Sequence, residues 1–221
     1  MKRCLLVFLT MLLFWVGLGN FIFSQYRLRS SFNGIRQQLI LIASNAAFCI
    51  SAQELLAVPL EETGESSPAY QSISEKLVAI KQVNPILKYV YIMTTTDQLG
   101  VLQYVVDADP APQVITARCP RALPGDRYDA RAFPEMLNAY SAPSADKKIT
   151  SDEWGTFISG YAPIRDASGK AVAILGVDTE ATRICALQRN VRRSGLQALG
   201  ALAIFLISLL GVFVFKPKSS V

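Results

Sequence analysis

Histidine is absent from all 221 residues, which removes the imidazole on which a Ser-His-Asp triad and many zinc sites depend. Cysteine is nearly as scarce. Cys4 lies inside an apolar run, while Cys49, Cys119 and Cys185 stand alone with no CxxC spacing. One of those three must stay unpaired within a single chain, so no disulfide framework is expected. Ser159 and Cys119 have no histidine to activate them, Asp152 and Glu153 are adjacent and diverge rather than flank a substrate, and no glycine-rich nucleotide loop occurs. The chain reads as a non-enzyme that needs no cofactor.

A nucleic-acid footprint is missing as well. Of 22 basic residues, Lys2, Arg3, Lys216 and Lys218 lie at the outer ends, leaving 18 against 17 acidic residues between them. That middle region is close to neutral, and its one basic cluster, RNVRR at 189–193, adjoins an apolar stretch where lipid head groups are the simplest partner.

What the chain does have is two uncharged apolar runs, Cys4 to Tyr26 and Ser194 to Phe215. Each is long enough to cross about 30 Å of hydrocarbon as a helix. The first follows a basic start and could be a cleaved signal, but bulky Phe21, Ile22 and Phe23 extend it beyond a signal core and favour a retained anchor. A buried core helix is the alternative for the second. The expected division is 1–26 as the first membrane helix, 27–193 as the domain between, 194–215 as the second membrane helix and 216–221 as a short tail. Counting Lys and Arg beside the spans places the middle domain in the cytoplasm.

Within the middle region, Phe32, Ile35, Leu39, Ile42, Ala46 and Cys49 recur at helical spacing, which predicts a helix from Arg27 to about Leu56 that continues from the first anchor. Residues 59–69 read as loop and 71–83 as a second helix with Ile73, Leu77 and Ile80 on one face. Alternation then predicts a hairpin through Leu87–Met93 and Leu102–Val106. The stretch 109–129 is loop-rich, long enough to line or cover a site. A short helix over 132–141 follows, then a hairpin of 155–164 and 170–178 around the turn RDASG, and a helix from Thr179 into the second span. The expected fold is α+β, a single antiparallel sheet with a long N-terminal helix, flanked by two transmembrane helices.

The hairpin YVYIMTTTDQLGVLQYVVD at 89–107, the segment DEWGTFISGYAPIRD at 152–166 and GKAVAILGVD at 169–178, in this order between two anchors, resemble the Cache or PDC family of PAS-like extracytoplasmic sensor domains of bacterial transmembrane receptors. The resemblance covers residues 27–193. It implies a two-pass protein of the bacterial inner membrane with the middle domain outside, against the charge count, and a role in sensing a small extracytoplasmic metabolite, an amino acid or carboxylate. It also implies signalling through the second anchor. Only KPKSSV follows Phe215 here, without the linker and effector of such receptors, so output is expected to pass to a separate partner. The other reading is a structural or interaction module of the envelope that binds no metabolite.

Candidate ligand-binding residues follow, each with a plainer role beside it. Tyr89, Tyr91, Tyr104 and Tyr161 offer hydroxyls on neighbouring strands, or are sheet-core aromatics. Asp178, at the end of ILGVD, matches an aspartate that meets the ligand amine in amino-acid-sensing relatives, or caps the helix expected after it. Arg118, with Arg121, Arg127 and Arg131, offers a fork for a carboxylate, or edges a solvated loop. Asp152 and Glu153, with Asp107 or Asp126, could hold a cation but lack EF-hand spacing. Gly169 is assigned to the hairpin turn and Gly176 to a close backbone approach. Ile35, Leu39, Ile42 and Ala46 form a stripe that suits a homodimer or the domain's own core. Gly195, Ala198, Gly200 and Ala201 suit packing against a partner's membrane helix, or are small residues facing lipid.

Overall fold

The first helix is unbroken across the expected anchor and the expected domain helix: α1 runs over Lys2–Phe48. It stops short of Leu56 because the chain turns at Cys49–Ile50, and Ser51 restarts it by accepting the Glu54 amide at the N-terminus of α2, Ala52–Leu56. These elements come from a computed structural model that describes residues 2–108, 122–152 and 155–214. The chain divides into two compact units, residues 34–181 and residues 1–33 with 182–221.

In the first unit, a single 3-10 turn over Glu62–Ser66 leads into α3, Pro68–Val83, which begins earlier than its apolar periodicity because Ser67 caps it and Pro68 occupies the first turn. The hairpin of β1, Tyr89–Thr95, and β2, Val101–Asp107, follows as expected. Three strands escaped the sequence: β3, Arg127–Asp129, β4, Ser144–Ala145, and β5, Thr150–Asp152. Runs of two or three residues carry no readable alternation. A 3-10 turn over Ala130–Ala132 and α4, Pro134–Asn138, lie between β3 and β4. The long closing hairpin is β6, Gly155–Arg165, and β7, Ala171–Glu180. Gly169, at φ +86°, supplies the left-handed residue of its turn.

All pairings are antiparallel and form one seven-stranded sheet in the order β3-β2-β1-β7-β6-β4, with β5 also on β6. The expected α+β fold with one antiparallel sheet is the fold observed. On one face Val90, Ile92, Ile158, Ile164, Leu175 and Val177 are sealed, as are Leu39 and Ala43 of α1 and Ile73 and Leu77 of α3. Leu39 packs so tightly that a Cβ on Gly160 would stand 2.6 Å from its Cβ and 2.8 Å from its backbone carbon. Leu39 and Ala46, half of the stripe offered for a dimer, are thus buried within one chain.

The second unit pairs the start of α1 with α5, Thr182–Val214. Phe14 stacks on Phe205 at 6.3 Å, and a Cβ on Gly17 would lie 3.3 Å from the Ala198 Cα. Asn20 donates to the Ser194 hydroxyl at 3.4 Å, which also meets Ser24 at 3.4 Å. Small residues and side-chain hydroxyls are what bring helices together where lipid removes the hydrophobic drive. Ala198 and Gly195 are therefore occupied within the chain, the latter by Phe21. Both helices are long and apolar enough to cross a membrane, and only 6% and 11% of their most apolar stretches are buried, unlike a core helix. This is the architecture of a two-pass membrane protein.

Candidate ligand-binding face

Strand register places the predicted residues. Tyr91 and Tyr161 both sit opposite Gly176, and one rung along Tyr89 and Ser159 both sit opposite Asp178. Residues directly opposite share a face, and so do residues two apart, so all six project from the side of the sheet away from Leu39. Gly176 is needed there. A Cβ would come within 2.4 Å of the Tyr91 ring, which lies flat on the strand and delivers its hydroxyl to Asp178 Oδ1 at 3.2 Å. Tyr104 pairs with Met93 in register and stands edge-on to Tyr91 at 5.9 Å. The structure thus brings Tyr89, Tyr91, Tyr104, Tyr161 and Asp178 together. Arg118 lies outside the described residues.

Asp178 is not a helix cap. β7 continues through Glu180 because β6 pairs with it as far as Phe157, and α5 starts only at Thr182. The polar run Asp-Thr-Glu resembles a helix start in sequence, but β1 pairs with it at Asp178 and β6 through Glu180, which holds it extended. Asp178 is consequently buried, and burial pushes its carboxyl up to about 8, against the hydroxyls of Ser159 and Tyr91 that favour the charged form and with Asp146 and Asp152 that oppose it.

Several members of this face were missed. Asp146, just after β4, is buried and accepts the Ser159 amide at 3.1 Å, the Thr150 hydroxyl at 3.1 Å and the Tyr161 hydroxyl at 3.4 Å. Burial raises it to about 6 in spite of those donors. Burial also raises the Tyr91 and Tyr161 phenols well above their usual range. Tyr128 of β3 packs against Tyr104 at 6.3 Å and Phe133 at 5.5 Å. Its hydroxyl donates to Asp152 Oδ2 at 3.1 Å, linking β3 at one end of the strand order to β5, which pairs with β6. Burial, then Asp152, raises the Tyr128 phenol. Ser159 was within reach of alternation with Tyr161; Asp146 and Tyr128 lie in segments without period.

Among the described residues neither Asp146 nor Asp178 makes an ion pair. The loop arginines that are described serve their own neighbourhood: Arg127 pairs with Asp97 at 3.2 Å, and Arg131 grips Asp129. No group of His, Cys, Asp or Glu able to hold a metal ion occurs among the described residues. Cys49 and Cys185 are free thiols. Chemically the face is a buried carboxylate pair bonded by hydroxyls and an amide and walled by aromatic rings, suited to a hydrogen-bond donor of positive charge.

No family model matches the chain, and no characterised protein matches its sequence. Solved structures do. The ligand-binding domain of the Campylobacter jejuni chemoreceptor Tlp3, in complex with L-norvaline, superposes with a TM-score of 0.50 at 14% identity, covering 79% of this chain and 62% of that one. The chain shares the fold of this chemoreceptor ligand-binding domain. The Escherichia coli DcuS sensor domain aligns at 14% identity over 71% of this chain and 96% of its own, with a TM-score of 0.46. The ligand-binding domain of the Pseudomonas aeruginosa amino-acid chemoreceptor PctC, in complex with GABA, aligns at 16% identity over 78% and 66%, with a TM-score of 0.42. The chain spans less than two thirds of the Tlp3 domain, 63% in its complex with 4-methylisoleucine.

Proposed function

We propose that the chain is a membrane-anchored sensory domain of the Cache type, comprising residues 27–193, which binds a small extracytoplasmic metabolite through an ammonium group at Asp178. The observation that carries this reading is the state of Asp178 itself: a carboxylate buried among phenol rings, bonded by hydroxyls and held near 8 without a cation among the described residues. An ammonium ion would supply both the charge and the missing donors, and Tyr89, Tyr91, Tyr104 and Tyr161 would enclose its stem. The norvaline bound by Tlp3 is an amino acid, and Arg118 is the residue we assign to the carboxylate of such a ligand. The bilayer holds both spans, with the domain outside and both ends in the cytoplasm. Occupancy passes to a separate signalling partner, with a homodimer as the receptor unit.

Calorimetry and thermal shift on the full chain in detergent test this with the common L-amino acids, GABA and simple alkylamines as probes. The reading expects a selective rise in unfolding temperature that is lost in D178N, since a ligand selective for the folded state must raise its apparent stability. No stabilisation by any ammonium compound would leave the interaction module as the better description.

A further inference from the structure

The side of β6 turned away from the candidate site is held by α1 at one rung. Ala145 of β4 and Gly160 of β6 are register partners. Arg36 of α1 donates from Nε to the Asp146 carbonyl at 2.8 Å and from Nη2 to the Ala145 carbonyl at 3.1 Å. One helical step on, Leu39 closes on Gly160 with no room for a methyl group between them. Residues three apart share a helix face, so a single patch of α1 grips both members of the rung. The residues on either side of Gly160 are Ser159 and Tyr161, which face the site and are bonded to the Asp146 carboxylate by an amide and a hydroxyl. The guanidinium binds two main-chain oxygens and leaves that carboxylate to the site.

We propose that Arg36 is a positioning residue that couples the Asp146–Tyr161 edge of the ligand-binding face to α1, the helix that continues into the first membrane span. Ser159 and Tyr161 cannot shift without moving Gly160. Gly160 cannot move without displacing Leu39, and Arg36 fixes β4 to the same helix turn, so the helix follows the edge. This inference rests on reading the face as a binding site, but its test uses protons as the only ligand, so the two fail separately.

Asp146 is the natural input, because it changes charge near pH 6. The groups around it are the Tyr161 phenol from β6, the Thr150 hydroxyl from β5, Arg36 from α1 and, more distantly, Asp178 from β7. Lys147 beside it is engaged by Glu135 of α4 at 2.7 Å. Hydrogen exchange of the full chain in lipid nanodiscs, corrected for intrinsic pH dependence, is followed from pH 5 to pH 7.5. We expect a step in protection near pH 6, about ten-fold, in the β4–β6 amides and in α1 between residues 36 and 44. D146N abolishes both steps. R36M keeps the step in β4–β6 but reduces it several-fold in α1. If R36M does not fold, R36K carries the test: lysine retains the charge but not the fork, and gives an intermediate reduction. A wild-type α1 that shows no step, or a step undiminished in the Arg36 variant, overturns the coupling.

Discussion

The two faces of the central sheet differ in chemistry: aliphatic side chains line the helix side, whereas the other mixes apolar residues such as Met93 and Ile174 with phenols and carboxyls. Along β1, Val90 and Ile92 are fully sealed on the helix side, while Tyr91, on the other side, is 7% exposed and ends in a hydroxyl on Asp178. Along β6 the same alternation sets Ile158 and Ile164 against Ser159 and Tyr161. The apolar face stabilises the fold through packing alone. The other face takes carboxylates out of water at a cost to stability that hydroxyl donors offset only in part, as the raised Asp178 and Asp146 show.

Two glycines give the largest break of this comparison. G160A drives a methyl group into the backbone of Leu39, which cannot swing aside, and should cost about 1–3 kcal/mol of stability as overpacking against a fixed neighbour. G176A meets the movable ring of Tyr91 instead, so it should cost less stability while displacing the hydroxyl from Asp178. Thermal unfolding of the full chain followed by near-ultraviolet dichroism checks both. Equal losses for the two substitutions would erase the distinction between the faces.

A second break uses pH. Asp178 holds its proton to about pH 8 when folded, against 3.8 as its ordinary value, so between these limits the folded state binds more protons than the unfolded one. Stability from this group is full at low pH and is lost as pH rises towards about 8, with Asp146 contributing the same sign up to about 6. The unfolding temperature should therefore fall between pH 5 and pH 8.5, and D178N should flatten the upper part of that fall. A wild-type chain that grows more stable over this range would contradict the burial of Asp178 as a neutral acid.

The smallest effect is expected from Y91F. It removes one hydroxyl from a carboxylate, worth about 1 kcal/mol, and leaves the ring on Gly176. Because that hydroxyl favours the ionised form, carboxyl titration by NMR should place Asp178 higher in Y91F than in the wild-type chain. No upward shift would show that the bond at 3.2 Å is not made in solution.

Much of this contrast was open to sequence reading. Alternation in YVYIM is enough to put Tyr89 and Tyr91 on one side and their neighbours on the other, because side chains in a strand project with a period of two, whereas Tyr161 joins them only through the register of β6 with β7. The same rule could have found Ser159. It could not reach Tyr128 or Asp146, which belong to strands of three and two residues or to the turn beside them. The helix-cap reading of Asp178 failed for a related reason: local polarity favours a helix start, whereas pairing with β1 at Asp178 and with β6 as far as Glu180 keeps the backbone extended.

The sequence by itself determined the two apolar spans, the order of helices and hairpins, the left-handed turn at Gly169 and the five face residues from Tyr89 to Asp178 that periodicity or family likeness marked. These depend on length, period or a single residue's backbone freedom, all of which are local. Only the tertiary structure decided that Arg36 reaches carbonyls 109 and 110 positions away, that Asp146 binds the amide of Ser159, and that Tyr128 meets Asp152. It also decided the protonation of the two carboxyls, since desolvation depends on which distant segments cover them rather than on the residues beside them in the chain.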